Sequence, residues 1–427
     1  MFVLRALLWV GLIVFLSNLT VPAPPPSSSA TLRTPPPPVP DPDRRWAGTT
    51  LTYYGERPGF GMAFERALLK QFEQDTGIQV NYIPRPLSAS ECYASYQRVF
   101  QARSPDVDVM MVDVVWPGAL APHLVPLSLS TEGFLPQLVD NSTVDGKLVA
   151  MPGYLGAGLL YYRTDLLQRY GYSGPPGSWN ELEEMAARIQ AGEKPSNPRF
   201  VGFVWQGYTY EGLTCNALEW QVSQGGGQML DQVDSPAALR AFSRAAGWIG
   251  TISPAGVTGY QEEDVRNVFE GGNAAFMRHW PYCYASGNAP GSPVRGRFEV
   301  APLPGASVLG GWEWAVSAYS RHPQAAEQLV AYQTCLEVQR WRAIEGAFLP
   351  TRPELYRDRE LLERMPFCAI MPEVFRQAIT RPSTRCRDLY NEASSIYFQG
   401  VATVLQGGDP VASMGRVRRD LTELMQP

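Results

Sequence analysis

The sequence predicts an α/β fold, and three observations predict it. Short apolar or β-branched runs alternate with segments whose apolar residues recur at helical spacing. Glycine or proline punctuates the changes between them. Hydrophobic residues make up 45% of the chain and charged residues only 18%, so a sizeable core is available. Strand, helix, strand, helix, strand is the pattern of a parallel sheet covered on both faces, and such sheets bind ligands at the carboxyl ends of their strands. Composition also excludes two classes. With 36 Lys+Arg against 41 Asp+Glu the net charge is −5, so neither a basic nucleic-acid binder nor a disordered chain fits. At about 150 residues per domain, 427 residues imply two or three domains.

The N-terminus comes first. Arg5 precedes an apolar run, 6–16, of the length of a signal-peptide core and shorter than the ~20 residues that span a bilayer. Residues 1–21 are therefore expected to be a signal peptide or an uncleaved anchor. Ten prolines fall between Pro22 and Pro42, so 22–45 is expected to be an extended spacer. The first cysteine is Cys92, which leaves no lipoprotein-type anchor.

The body then alternates. Residues 50–54 read as a strand between Gly48 and Gly55. Phe64, Leu68 and Phe72 mark a helix that Gly77 closes. A strand at 78–83, a helix at 93–100 and a strand at 107–115 follow, the last with Asp108 and Asp113 embedded. An aspartate in an apolar strand is costly unless hydrogen-bonded, so Asp113 is expected at the strand's open end, facing solvent or ligand. The competing role is a turn cap at Pro117-Gly118. Further on, 158–162 reads as a strand with Asp165 as N-cap of the next helix. Ser178 and Glu181 have capping-box spacing. A strand at 200–204, helices at 211–223, 237–249 and 262–269, and a strand at 274–277 continue the pattern. Beyond Val316 helices are expected at 323–343, 354–362, 372–379, 389–405 and 410–425.

Catalytic motifs are absent. None of His123, His279 and His322 belongs to HExxH, and Asn141 stands where a phosphate loop ending in Gly146-Lys147 needs its first glycine. Gly225-x-Gly227 lacks the third glycine of a dinucleotide site, and there is no GxSxG. The cysteines show no metal-site spacing. No cofactor or metal is expected. What the chain does offer is aromatic residues at element ends beside glycine or proline: Trp116, Tyr154, Trp280, Tyr282 and Trp312. Flat rings of this kind pack on the C–H faces of sugars, while carboxylates, amides and guanidinium groups meet sugar hydroxyls.

Six stretches carry a family resemblance. They are Pro105 to Val109 with Asp113-Val-Val-Trp-Pro-Gly118; Leu160-Tyr-Tyr-Arg-Thr-Asp-Leu-Leu167; and Tyr210-Glu-Gly-Leu-Thr-Cys-Asn216. The others are Ala275-Phe-Met-Arg-His-Trp-Pro-Tyr282; Gly310-Gly-Trp312; and Ile344-Glu-Gly-Ala-Phe-Leu-Pro-Thr351. In this order they resemble the extracellular solute-binding proteins of bacterial ABC sugar importers, in the trehalose/maltose-binding branch. The resemblance implies a type II two-lobed periplasmic-binding-protein fold with a ligand cleft between the lobes. It places 46–157 and 279–332 in the N-terminal lobe and 158–278 and 333–427 in the C-terminal lobe, with crossings near Gly158, Arg278 and Gln333. It also implies a non-enzyme that captures an α-glucoside (trehalose, maltose, sucrose or glucosylglycerol) in the periplasm for ABC permease subunits. A monomer is expected, without nucleic-acid partners. The rival readings are a secreted carbohydrate-active enzyme and a ligand sensor docking on a membrane receptor.

Carried over by position, the implied ligand contacts are Asp113, Tyr154, Trp280, Tyr282, Gly311, Trp312 and Arg381. Three positions depart: Gly61 stands where relatives have Glu, Cys92 where they have Arg, and Gly156 where they have Asp. Several first-lobe polar clamps are thus expected to be missing. A disulfide between Cys368 and Cys386 is expected to hold the Arg381 loop, with Cys335 an alternative partner for either.

Overall fold

The computed structural model describes residues 32–37 and 44–426. The expected signal or anchor at 1–21 and most of the expected spacer at 22–45 lie outside the described residues. In chain order the strands are β1 (Thr50–Gly55), β2 (Gln79–Pro84), β3 (Val109–Asp113), a small hairpin of β4 (Thr143–Val144) and β5 (Lys147–Leu148), β6 (Met151–Ala157) and β7 (Leu159–Arg163). Then come β8 (Val201–Val204), β9 (Ala274–His279), β10 (Phe298–Pro302), β11 (Leu309–Val316) and β12 (Leu349–Pro350).

Two sheets organise the chain. The larger runs β12-β6-β11-β3-β1-β2, the smaller β10-β7-β9-β8. β1 pairs in parallel with β2 and β3, as the strand–helix alternation predicts. β11, β6 and β12 then extend this sheet in antiparallel fashion. β3 is buried at all five residues, as a central strand covered on both faces should be.

Local signals explain the helices. Gly77 adopts the left-handed conformation (φ +76°) and closes the helix Phe60–Thr76, its N–H donating to the Glu73 carbonyl. The Ser88 hydroxyl accepts from the Glu91 N–H and starts Ala89–Gln101. The helix Glu211–Ser223 is buried from Glu211 to Gln221 on every face. It therefore lies inside the molecule rather than on its surface.

Several expectations are corrected. Asp165 does not cap its helix; its carboxylate pairs with Arg163 at 2.7 and 2.6 Å, and Arg163 is the N-cap residue. Ser178 caps Trp179–Glu193, but the Glu181 carboxylate accepts from Gly177 N–H, one residue before the capping-box position. The long helix expected at 323–343 is two, Pro323–Thr334 and Leu336–Gly346, broken where Cys335 is extended.

Sheet membership differs from the lobe boundaries given above in two places. The chain passes directly from β6 to β7 through Gly158, so one crossing lies there. However, β10 stays in the smaller sheet beside β7, and the second crossing is 303–308. A five-residue edge strand ending in proline gives little sequence signal. Conversely, β12 pairs with β6, so the chain remains with the larger sheet through Pro350 rather than leaving near Gln333. The Gln333 amide in fact donates to Glu65 of the first lobe.

The two lobes share a core near these crossings. Val112 and Trp116 of the first belong to one apolar cluster with Phe203, Trp205 and Leu213 of the second. Leu51, Phe72, Met111 and Trp314 form a separate cluster in the first lobe. All six cysteines are free, which removes the expected Cys368–Cys386 disulfide. The physical reason is burial in different places. Cys368 packs with Tyr356 and Phe367, whereas Cys386 packs in the cluster that holds Tyr390 and Tyr397. Burial pushes their thiols up to about 12 and about 11. Among the described residues no helix is long and apolar enough to cross a membrane.

Candidate functional site

The carboxyl ends of β1 and β3 point into the space between the lobes, as strand polarity requires. After β1 the chain continues Glu56-Arg57-Pro58, and β3 ends on Asp113; all four residues line one cavity. Tyr154 from β6, Gly311 and Trp312 from β11, Trp280 and Tyr282 beyond β9, and Arg381 complete it. The cavity encloses about 910 Å³ not filled by atoms, part of it open to solvent. All seven positions named above thus meet in one place.

Two tryptophans enter from different sheets. The Arg85 guanidinium lies over the Trp312 ring, 3.6 Å from its centroid. Arg278 lies over Trp280 at 4.1 Å. Each ring is thereby held on one side by a cation–π contact. Trp116, another aromatic at an element end, is not part of this surface: it is 1% exposed and packs edge-on against Trp312. Gly311 has φ +157°, and a Cβ there would lie 2.7 Å from the Tyr154 carbonyl oxygen. The close approach of β11 to β6 therefore requires glycine.

Charges bridge the cleft at two points. Arg381 donates to Asp113 and to Glu211, both at 2.8 Å, and its side chain is 2% exposed. Ser394 donates to the second oxygen of Glu211 at 2.6 Å. Asp113 also accepts from the Val115 N–H at 3.3 Å, so it serves the local turn as well as the ion pair. Arg57 reaches across to Glu262 at 3.2 Å, Glu263 at 3.4 Å and the Tyr282 hydroxyl at 3.0 Å. Burial is the largest influence on the Glu262 carboxyl and pushes it up, but Arg57 and the hydrogen bonds it accepts together hold it below the usual range.

The expected gaps in the first lobe are filled from elsewhere. A Cβ at Gly61 would lie 2.4 Å from Glu56 Cγ, so Glu56 occupies the space of the absent side chain. Its carboxylate accepts from Arg85 at 3.0 Å and from the Tyr154 hydroxyl at 2.7 Å. Arg85 lies close enough to Cys92 to lower its thiol pKa, although burial dominates and pushes it up to about 11. A carboxylate and a guanidinium are thus supplied by Glu56 and Arg85 instead of by positions 61 and 92. Only the Gly156 position stays without a charge: a Cβ there would meet Trp280 and Pro281 at 3.4 and 3.5 Å.

Sequence reasoning missed Glu56, Arg57, Arg85, Glu211, Glu262 and Glu263. The signal was present for the first three. Gly55-Glu-Arg-Pro58 and Pro84-Arg-Pro86 are charged residues at the carboxyl ends of the two parallel strands β1 and β2. The buried Cys283–His279 contact, 2.8 Å, is not a nucleophile with its base. His279 Nε2 donates to the Glu262 carbonyl at 2.9 Å, and burial lowers the imidazole pKa to about 3. Burial also raises the thiol, so both groups are neutral.

This geometry, a cavity between two α/β lobes joined by crossing strands, has a counterpart among known families. Residues 55–339 match the model of the bacterial extracellular solute-binding proteins. The chain belongs to that family. A probable ABC transporter-binding protein of Deinococcus radiodurans is 45% identical over 83% of this chain and 89% of its own. Maltose-bound MalE3 of T. maritima superposes with a TM-score of 0.83 at 36% identity, over 88% of this chain and all of that one. A solute-binding protein of Thermotoga lettingae TMO bound with α-D-tagatose shares the fold, with a TM-score of 0.79 at 23% identity over 88% of this chain and 100% of that one. The two-lobed solute-binding fold accounts for each sheet described above.

Proposed function

We propose that this solute-binding protein captures an uncharged α-glucoside, such as trehalose, maltose, sucrose or glucosylglycerol, outside the inner membrane and delivers it to an ABC permease. One observation carries the reading. Trp280 and Trp312, from different sheets, line the same cavity with charged hydrogen-bonding groups between them. Rings supply stacking for sugar C–H faces, and carboxylate and guanidinium groups supply partners for hydroxyls. Five carboxylates against three guanidinium groups in the lining argue against an anionic solute. The T. maritima relative was solved with maltose bound, which makes α-glucosides the first class to test. Asp113, Tyr154, Trp280, Tyr282, Gly311, Trp312 and Arg381 are the proposed contacts, joined by Glu56, Arg57 and Arg85. The protein acts as a monomer and releases its ligand unchanged.

Incubation with each of the four glucosides, followed by chromatography, separates this reading from an enzyme. Recovery of intact sugar together with a ligand-induced rise in Tm is expected; free glucose in the product would overturn it.

A further inference from the structure

Behind Trp280 lies an ion pair that does not line the cavity. Arg278 is 1% exposed and Glu219 is 0% exposed. Arg278 Nε donates to Glu219 Oε2 at 2.9 Å and Nη2 to Oε1 at 2.6 Å, while Nη1 donates to Gln206 Oε1 at 3.3 Å. The guanidinium plane thus has one partner set at its edge and the Trp280 ring at its face. Glu219 has a second duty. Its Oε1 also accepts from the backbone N–H of Val308 at 3.1 Å.

Val308 belongs to the 303–308 crossing, and it is tied to the other crossing. The Gly158 N–H donates to the Val308 carbonyl at 3.2 Å, and the Ser307 hydroxyl donates to the Gly158 carbonyl at 2.8 Å. A Cβ at Gly158 would lie 2.0 Å from Glu219 Oε1 and 2.7 Å from Arg278 Nη2. The ion pair is therefore pressed against two of the segments that pass between the lobes, Gly158 and 303–308. Two-lobed proteins close by changing a few backbone angles in such crossings. A buried ion pair adds little net stability over an apolar pair of the same volume, because desolvation offsets the attraction. Its directional bonds, however, fix geometry, and here they fix a ring and a hinge together.

We propose that Arg278 and Glu219 are positioning residues that couple the orientation of Trp280 to the conformation of the two crossing strands. Ligand stacking on Trp280 and lobe closure then depend on the same ion pair. The ligand half of this statement rests on the proposed function; the hinge half does not.

Glu219→Gln keeps the shape and removes the charge, and Arg278→Lys keeps the charge and removes the flat guanidinium. Hydrogen exchange of the ligand-free protein, followed by mass spectrometry, reads peptides covering 155–160, 303–309 and 278–284. In Glu219→Gln, exchange should speed up by about tenfold in all three, with peptides covering 109–113 unchanged. In Arg278→Lys, the strongest effect should fall on 278–284. Affinity for whichever glucoside the native protein binds should drop by about tenfold in both variants. Unchanged exchange at 155–160 and 303–309 would overturn the coupling. So would a uniform loss of protection that includes 109–113, since the pair would then be merely structural. If Glu219→Gln does not fold, Arg278→Lys alone decides. If the native protein binds no sugar, the proposed function fails while the exchange result still judges the hinge.

Discussion

The two charged bridges across the cleft use the same chemistry and differ in where they sit. Arg381 lies deep: its side chain is 2% exposed, and those of its partners Asp113 and Glu211 are 9% and 7% exposed. Arg57 lies nearer the mouth, 11% exposed, with Glu262 and Glu263 at 12% and 22% and longer contacts. The Arg381 segment is also tied to the crossing strands, since Ile379 bonds with Ser307 and Leu309. Close to the axis of a hinge, opening displaces groups little, so the inner bridge can persist while the lobes part. The outer bridge, farther from the crossings, would break on opening. On this reading the inner arginine supports the fold as well as lining the cavity, and the outer one would bias closure.

That contrast is open to test. The largest effect is expected at the inner bridge. Arg381→Met leaves the buried Asp113 and Glu211 carboxylates without their cation, which should cost about 3–5 kcal/mol in urea unfolding of the ligand-free protein. Asp113→Asn should lower ligand-free stability too, by about 1–3 kcal/mol, because the ion pair and the Val115 N–H contact both weaken. Glu313, behind Asp113 on β11, sharpens the electrostatic picture. Burial raises its carboxyl pKa to about 8, and Asp113 adds to the rise. Between its ordinary value and about 8 the folded state holds a proton that the unfolded state releases. Stability from this group is therefore full at low pH and falls as pH rises, by an amount on the order of a few kcal/mol. Glu313→Gln should flatten that slope in unfolding curves taken from pH 5 to 9.

Smaller effects follow. Trp280→Ala or Trp312→Ala should weaken glucoside binding at least about tenfold, or ~1.4 kcal/mol, by calorimetry. Unchanged affinity in both variants would remove the stacking platform from the account. Arg57→Ala should cost less stability than Arg381→Met, because its pairs are longer and less buried, while enlarging the radius of gyration in X-ray scattering. Salt should mimic that change in the native protein, because partly exposed pairs are screened. An effect of Arg57→Ala as large as that of Arg381→Met would erase the distinction between the bridges.

Much of the fold is legible in the sequence where period and punctuation agree. The helix Glu211–Ser223 is found at the residues expected, and β1 to β3 form the parallel core that alternation implies. Edge strands are less legible: β10 and β12 are short and contain proline, so their sheet could not be assigned from pattern. The cysteines misled because distance along the chain says nothing of which core each thiol enters. At the site, the aromatic positions could be found from their glycine and proline neighbours. Glu56 and Arg85 carry only a weak signal, a charged residue beside proline at the carboxyl end of a parallel strand, and what brings them together is the pairing of β1 with β2. Asp113 does sit at the end of β3 and line the cavity, but its pairing with the buried Arg381 was not foreseen. Pairing across 268 residues of chain is invisible to local spacing.

The central claim, that the cavity between the lobes holds an uncharged glucoside, is tested most directly by isothermal titration of the full protein with trehalose, maltose, sucrose and glucosylglycerol. The account predicts saturable one-to-one binding of at least one of them. That binding should match a stability gain of about 2.7 kcal/mol when the sugar is present at a hundred times its Kd. No heat and no stability gain with any of the four would contradict it.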